Sequence, residues 1–163
     1  MAAGSVSTVS IDRKWEKPSQ DTAPTKKFIS IVVPCLNEEL VIGDFVDWCF
    51  EGTADSGVYL KNTPQIQMWN SPPGSGGLFN NKVGAKNPLV VADNPVGRWN
   101  SFHIIQRNSD MTTIWLNGQL VVDNVKMEYY WDYSKPLPAK GNIELQFHGT
   151  KLFWKNIYVK ELN

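Results

Sequence analysis

The spacing of apolar positions changes along the chain. Phe28-Ile-Ser-Ile-Val-Val33 is a short, continuous, β-branched run and predicts a buried strand that Pro34 ends. Asn37 then stands as an N-cap, with Glu38 and Glu39 in the first turn, where the helix dipole favours carboxylates. Ile42, Phe45, Val46, Cys49 and Phe50 follow at i, i+3, i+4, i+7 and i+8, which predicts one apolar helical face. Gly43 within it costs about 1 kcal/mol relative to alanine. Strand, turn and capped helix form the first half of an α/β unit.

From about Thr53 the texture becomes that of strands. Short runs of β-branched and aromatic residues alternate with Gly, Pro and Asn over Gly57–Lys61, Gln65–Asn70, Gly77–Asn80, Trp99–Arg107, Thr112–Leu116, Leu120–Val125, Asn142–His148 and Leu152–Lys160. Asn117-Gly118 between two such runs predicts a hairpin closed by a two-residue type I′ turn. The pattern predicts a mainly β chain, an antiparallel sandwich or barrel, with no helix after residue 52.

Residues 1–27 show no sustained period and are rich in Ser, Thr, Lys and Asp, with Pro18 and Pro24. They read as a flexible tail in which Trp15 is the one residue suited to docking. The division expected is therefore a tail over 1–27, a strand–helix fragment over 28–52 and a β-domain over 53–163. Charge marks the same seam: residues 1–51 carry a net −3 and the remainder a net +3.

At 163 residues and 42% hydrophobic content the chain has material for about one domain with a core. Zero net charge gives no electrostatic case for nucleic acid or an acidic membrane surface. No apolar run approaches the roughly 20 residues that span a bilayer. The opening MAAGSVSTVS lacks the pattern of a secretory signal, so a cytoplasmic setting is expected, with Cys35 and Cys49 as unpaired thiols.

Side chains alternate across a strand, so spacing of two defines a face. In Asn142–His148, Ile143, Leu145 and Phe147 point to a core. Glu144, Gln146 and His148 form a carboxylate, amide and imidazole row at intervals of about 6.5–7 Å. In Gln65–Asn70, Ile66 and Met68 share one face and Gln65, Gln67 and Trp69 the other. Forked donors and acceptors suit sugar hydroxyls, and a flat aromatic suits the C–H face of a pyranose. The bland alternative is a solvated outer sheet face. His103 reads as a half-buried sheet residue, and Gly74-Ser-Gly-Gly77 as a mobile turn rather than a phosphate loop, since no strand–helix context or Lys accompanies it.

Asp55-Ser-Gly-Val-Tyr-Leu60, Pro64-Gln-Ile-Gln-Met-Trp-Asn70, Gly74-Ser-Gly-Gly-Leu-Phe-Asn80, Pro95-Val-Gly-Arg-Trp-Asn100, Trp115-Leu-Asn-Gly118, Val122-Asp-Asn124, Tyr130-Trp-Asp132 and Leu145-Gln-Phe-His-Gly149 run in order. This series resembles the 3-keto-disaccharide hydrolase domain, also described as a 3-keto-glucoside lyase/hydratase domain. The resemblance implies a concanavalin A-like antiparallel β-sandwich (jelly roll) whose concave face cleaves an oxidised glucoside or disaccharide, sometimes with a divalent metal ion. With the polar strand faces read above, this chemistry makes His148 the expected base or metal ligand, Gln67 and Gln146 the oxyanion or hydroxyl partners, and Tyr59, Gln65, Trp69, Asn80 and Glu144 the residues along the sugar site.

A second resemblance is shorter. Lys27-Phe-Ile-Ser-Ile-Val-Val-Pro-Cys-Leu-Asn-Glu-Glu39 is similar to the opening of inverting family-two glycosyltransferases and extends to about Gly52. Ile42-Gly-Asp-Phe45 also fits the sandwich family, but the transferase likeness accounts for it better. On this reading the sandwich is N-terminally incomplete: strands ahead of Asp55 are missing or replaced, leaving exposed strand edges through which the chain could self-associate. The leading expectation is a hydrolase or lyase domain. The alternatives are a non-catalytic carbohydrate-binding sandwich and an inactive chimera.

Overall fold

The structure is a computed structural model whose described residues are 29–31, 40–52, 54–62, 64–108 and 110–161, with side chains described from Val46 to Lys160. The expected tail with Trp15, the Asn37-Glu38-Glu39 cap and Cys35 lie outside the described residues. Ten strands form within them: β1 Ile29–Ile31, β2 Leu40–Phe50, β3 Asp55–Tyr59, β4 Gln65–Trp69, β5 Asn100–Arg107, β6 Met111–Leu116, β7 Gln119–Lys126, β8 Ile143–Leu145, β9 Leu152–Lys155 and β10 Lys160–Glu161.

They build two antiparallel sheets. One runs β1-β8-β3-β4; the other runs β10-β2-β5-β6-β7, with β9 also paired to β2. The alternation expected of β5 and β6 is realised residue by residue. Phe102, Ile104, Ile114 and Leu116 are fully buried, whereas Ser101, His103, Thr113 and Trp115 are half-buried on the opposite face. The other sheet meets them with Val58, Ile66, Met68, Ile143 and Leu145. Asn117 and Gly118 both take positive φ, 52° and 79°, and Leu116 pairs directly with Gln119. These are the two-residue turn and register that the Asn-Gly pair predicts.

The helix expected over 37–50 does not form: residues 40–50 are strand β2. Its upper half is paired on both sides, Trp48 against Asn100 of β5 and Trp154 of β9. Val46, Trp48 and Phe50 are buried at spacing two, and Trp48 was off the helical face altogether. An irregularity hides this alternation in the sequence. Gly43, Asp44 and Phe45 lie between residues that pair with Ile104 and Phe102, so three positions of β2 face the single residue His103. A bulge of this kind breaks the period of two and lets helical spacing emerge. The short strand–helix unit is therefore replaced by strands, and β2 stands where strands ahead of Asp55 were expected to be missing.

Three further expectations change. Strand β8 stops at Leu145, and Phe147, expected in the core, is exposed. Gly74–Gly77, expected to be a mobile turn, is buried: Ser75 Oγ donates to Trp69 O at 2.8 Å and accepts from Trp69 N at 3.0 Å. The long excursion after Asn70 also covers strand edges. Gln67 N donates to Gly77 O, Phe79 N donates to Gln65 O, and Leu89 N donates to Val121 O. The free sides of β4 and β7 are thus bonded at these positions.

Trp48 tests the assignment of β2. Its ring packs 4.9 Å from Phe50 and 5.9 Å from Phe102, between the sheets. Trp48→Ala is expected to cost about 3–5 kcal/mol, the range for deleting a buried large aromatic, in urea unfolding. A loss below 1 kcal/mol would place Trp48 outside the core.

Candidate functional site

The face of β8, β3 and β4 turned away from the core carries a grid of polar side chains. Its rows follow from register. Tyr59 faces Gln65 on β4 and Glu144 on β8; Gly57 faces Gln67; Asp55 faces Trp69. Gln146 joins the middle row, because its N–H donates to Gly57 O at 2.9 Å. Ser56 Oγ donates to the Gln146 carbonyl at 2.7 Å, and the β8 ladder ends there.

The grid is held together by amides. Gln65 Nε2 donates to Gln146 Oε1 at 2.7 Å, spanning β3. Gln67 Nε2 donates to the Asp55 carboxylate and to Ser56 O at 3.3 Å. Both glutamines are buried, at 3% and 4% exposure, so these bonds remove what would otherwise be desolvated, unpaired amides. Gly57 makes the arrangement possible: a Cβ there would lie 2.6 Å from Gln65 Cγ. The amide of Gln65 occupies the space that any other residue would fill.

Beside the grid lies a cavity of about 230 Å³. Gln67, Trp69 and Asn80 line it, with Phe79, Lys86 and Asn87. Trp69 is fixed by its indole N–H, which donates to Gly74 O at 2.7 Å. Asn80 sits at the exposed rim with positive φ of 59°, and its carbonyl accepts the Tyr133 hydroxyl at 2.7 Å. Three expected site residues therefore share one hollow, and Gln65 and Gln146 adjoin it through the grid. Glu144 is half-buried in register with Tyr59. His148 stands apart: it lies beyond the end of β8, is exposed, and is not among the residues lining the cavity.

Tyr130 and Asp55 contact the expected site residues Tyr59 and Gln67, although the sequence assigned them no role. Tyr130 is buried, packs edge-on to Phe79 at 5.4 Å, and hydrogen-bonds Tyr59. Burial is the main cause that pushes both phenols above the usual tyrosine range; the bond from Tyr130 partly offsets this for Tyr59, whose neighbours Asp55 and Glu144 push it further up. Asp55, Gly57 and Tyr59 share one strand face by period two, and that signal would have found Asp55. Tyr130 sits in a turn, where no period points to it. Among the described residues no three His, Cys, Asp or Glu side chains gather as a metal site requires. The described residues do not fit a preformed ion site.

Two outcomes follow. Gly57→Ala must displace Gln65 and break its bond to Gln146, and is expected to cost about 1–3 kcal/mol, the penalty for an orphaned buried amide, in chemical unfolding. An unchanged midpoint would show that the amides are not coupled through this position. In an alkaline titration followed by tyrosinate absorbance, Tyr59 and Tyr130 should ionise above the ordinary tyrosine value of 10.0. Because their folded pKa values lie above the unfolded value of 10.0, their contribution to stability is full below pH 10 and is lost as pH rises through the folded values. All tyrosines titrating together near pH 10 would contradict this.

Comparison with known proteins agrees with the architecture. Three crystal structures of proteins titled "putative glycosyl hydrolase" from Parabacteroides distasonis ATCC 8503 share the fold. The 2.13 Å structure has TM-score 0.57 and 18% identity, covering 77% of this chain and 65% of that one, so the chain spans less than two thirds of that relative. The 1.70 Å structure has TM-score 0.59 and 23% identity over 88% of this chain and 78% of that one. The 2.00 Å structure has TM-score 0.54 and 19% identity over 77% and 79%. No curated protein matches the chain. A family profile, described as the 3-keto-alpha-glucoside-1,2-lyase-like domain, matches residues 44–160. It begins inside the segment expected to be a glycosyltransferase fragment, and with strand β2 in place of a helix nothing supports that fragment. The chain belongs to the 3-keto-alpha-glucoside-1,2-lyase-like domain family.

Proposed function

We propose that this domain cleaves the glycosidic bond of 3-keto-glucosides in the cavity beside β4. A ketone at C3 acidifies the proton at C2. Removal of that proton expels the C1 substituent by β-elimination, and water then adds to the product or completes a net hydrolysis. Such chemistry asks for one base and for donors to a developing enolate oxygen, rather than the paired carboxylates of an ordinary glycosidase. The observation that carries the reading is the meeting of Gln67, Trp69 and Asn80 in one hollow next to the Gln65–Gln146 bridge.

The hydrogen bonds divide the labour. Gln67 spends its Nε2 on Asp55 and Ser56 O, so it offers Oε1, an acceptor for a sugar hydroxyl. Gln146 accepts through Oε1 and keeps Nε2 to donate, which suits an enolate oxygen. Tyr59 shares a hydrogen bond with Tyr130, and burial raises its phenol above the usual tyrosine range, which favours the protonated O–H that can donate. Trp69 supplies the flat wall. We assign the base to His148, exposed beyond the end of β8 and outside the lining of the hollow, which requires the C2–H of the bound ring to face the open side.

One observation favours a second reading, a non-catalytic sugar-binding sandwich: the buried amides bond mainly to one another and to Asp55, as a binding surface would hold them. Turnover separates the two. The wild type is expected to release free sugar from a 3-keto-glucoside but not from the unoxidised glucoside. His148→Gln is expected to lower kcat by about 10²–10⁴-fold, the usual worth of a positioned base. Full activity in His148→Gln would remove the histidine from the mechanism, and binding without turnover by the wild type would establish the second reading.

A further inference from the structure

Trp131 is the most exposed aromatic side chain among the described residues, at 73% of its surface, yet the backbone beneath it is firmly held. Asp132 N donates to Tyr129 O at 3.0 Å, which closes a turn with Tyr130 and Trp131 at its centre. The Asp132 carboxylate accepts from Ser134 N at 3.1 Å and from Ser134 Oγ at 2.6 Å, and Lys135 N donates to Asp132 O at 3.0 Å. The two central residues point different ways: Tyr130 inward to Tyr59 and Phe79, Trp131 outward. Their rings are 5.0 Å apart.

This turn is stitched to the rim of the cavity. Phe79, which lines the hollow, packs against Tyr130, and Tyr133 bonds the carbonyl of Asn80 at the rim. Glu128 N donates to Asn81 Oδ1 at 3.0 Å, and Asn81 Nδ2 donates to Lys126 O at 2.7 Å, so the two segments run side by side. A series of ring contacts, Phe79 to Tyr130 to Trp131, leads from the hollow to the surface.

The size of the hollow makes that surface useful. At about 230 Å³ it falls below the roughly 300–1,000 Å³ of sites that enclose a drug-sized ligand. It has room for one small ring and not two, so a second ring joined through the scissile bond must lie outside, over the rim. An indole carried there on a hydrogen-bonded turn, with its ring against Tyr130, offers a flat face to C–H groups.

Resting on the proposed function, we propose that Trp131 is the platform for the leaving group and sets selectivity for glycosides whose C1 substituent is itself a flat ring, a second pyranose or an aryl group, over those with a small alkyl substituent. Tyr130 is the positioning residue that fixes the platform relative to the cavity.

The test compares Trp131→Ala and Trp131→Phe with wild type on three 3-keto-glucosides, bearing methyl, phenyl and glucosyl substituents, by calorimetric binding and by release of sugar. In Trp131→Ala the kcat/KM ratio of ring-bearing to methyl substrate is expected to fall at least tenfold, with KM moving more than kcat, and Trp131→Phe should restore most of it. The glucosyl and phenyl arms tell which ring the platform serves. Equal losses on all three substrates, or no loss on either ring-bearing one, would overturn the platform. If the wild type binds these compounds without cleaving them, the catalytic reading fails, and the same ratio taken from Kd still decides for or against Trp131. Binding of none by the wild type would overturn both.

Discussion

At residue 57, in the middle of three neighbouring strands, there is no side chain, and amides from the strands on either side close over the gap. A buried amide without partners costs about 1–3 kcal/mol, so Gln65 settles against Gln146, and Gln67 against Asp55 and Ser56 O. That requirement fixes which amide atoms are used within the protein and which are left for other partners. It also fixes where the site lies, because the opposite face of the same strands is committed to the core through Val58, Ile66, Met68 and Leu145. The core and the proposed recognition face thus share one sheet, separated only by the alternation of side chains.

The excursion between β4 and β5 links this face to the rest of the sandwich. Its first part bonds along β4 and supplies Phe79 and Asn80 to the cavity, and Leu89 bonds to Val121 on the other sheet. Asp93 accepts from Ser75 N at 2.9 Å, tying the buried glycine turn back to the later part of the same loop. A segment anchored at both sheets is a suitable wall for a site, since a wall that shifted would lose backbone hydrogen bonds at two edges. The turn bearing Tyr130 and Trp131 is fastened to this wall through Phe79 and Asn80 and to β3 through Tyr59.

Much of the fold was legible because burial and spacing coincide in short antiparallel strands. β5 and β6 alternate without interruption, and Asn117-Gly118 allows few conformations besides the one observed. The face shared by Gln65, Gln67 and Trp69 followed from the same rule. The rule failed at β2, where three residues oppose one, and at Phe147, where pairing ends before the apolar pattern does. In both places the local spacing was real, but its meaning depended on whether a neighbouring strand was there to pair.

By itself the sequence determined the mainly β character, the hairpin at residues 117 and 118, and which side chains share a face, because each depends on residues a few positions apart. Only the tertiary structure decided that residues 40–50 are strand, that Gln65 reaches across to Gln146, that Tyr130 stands behind Tyr59, and that His148 remains at the surface. Those outcomes depend on backbone partners and volumes contributed by segments distant in the chain, and no local period carries that information.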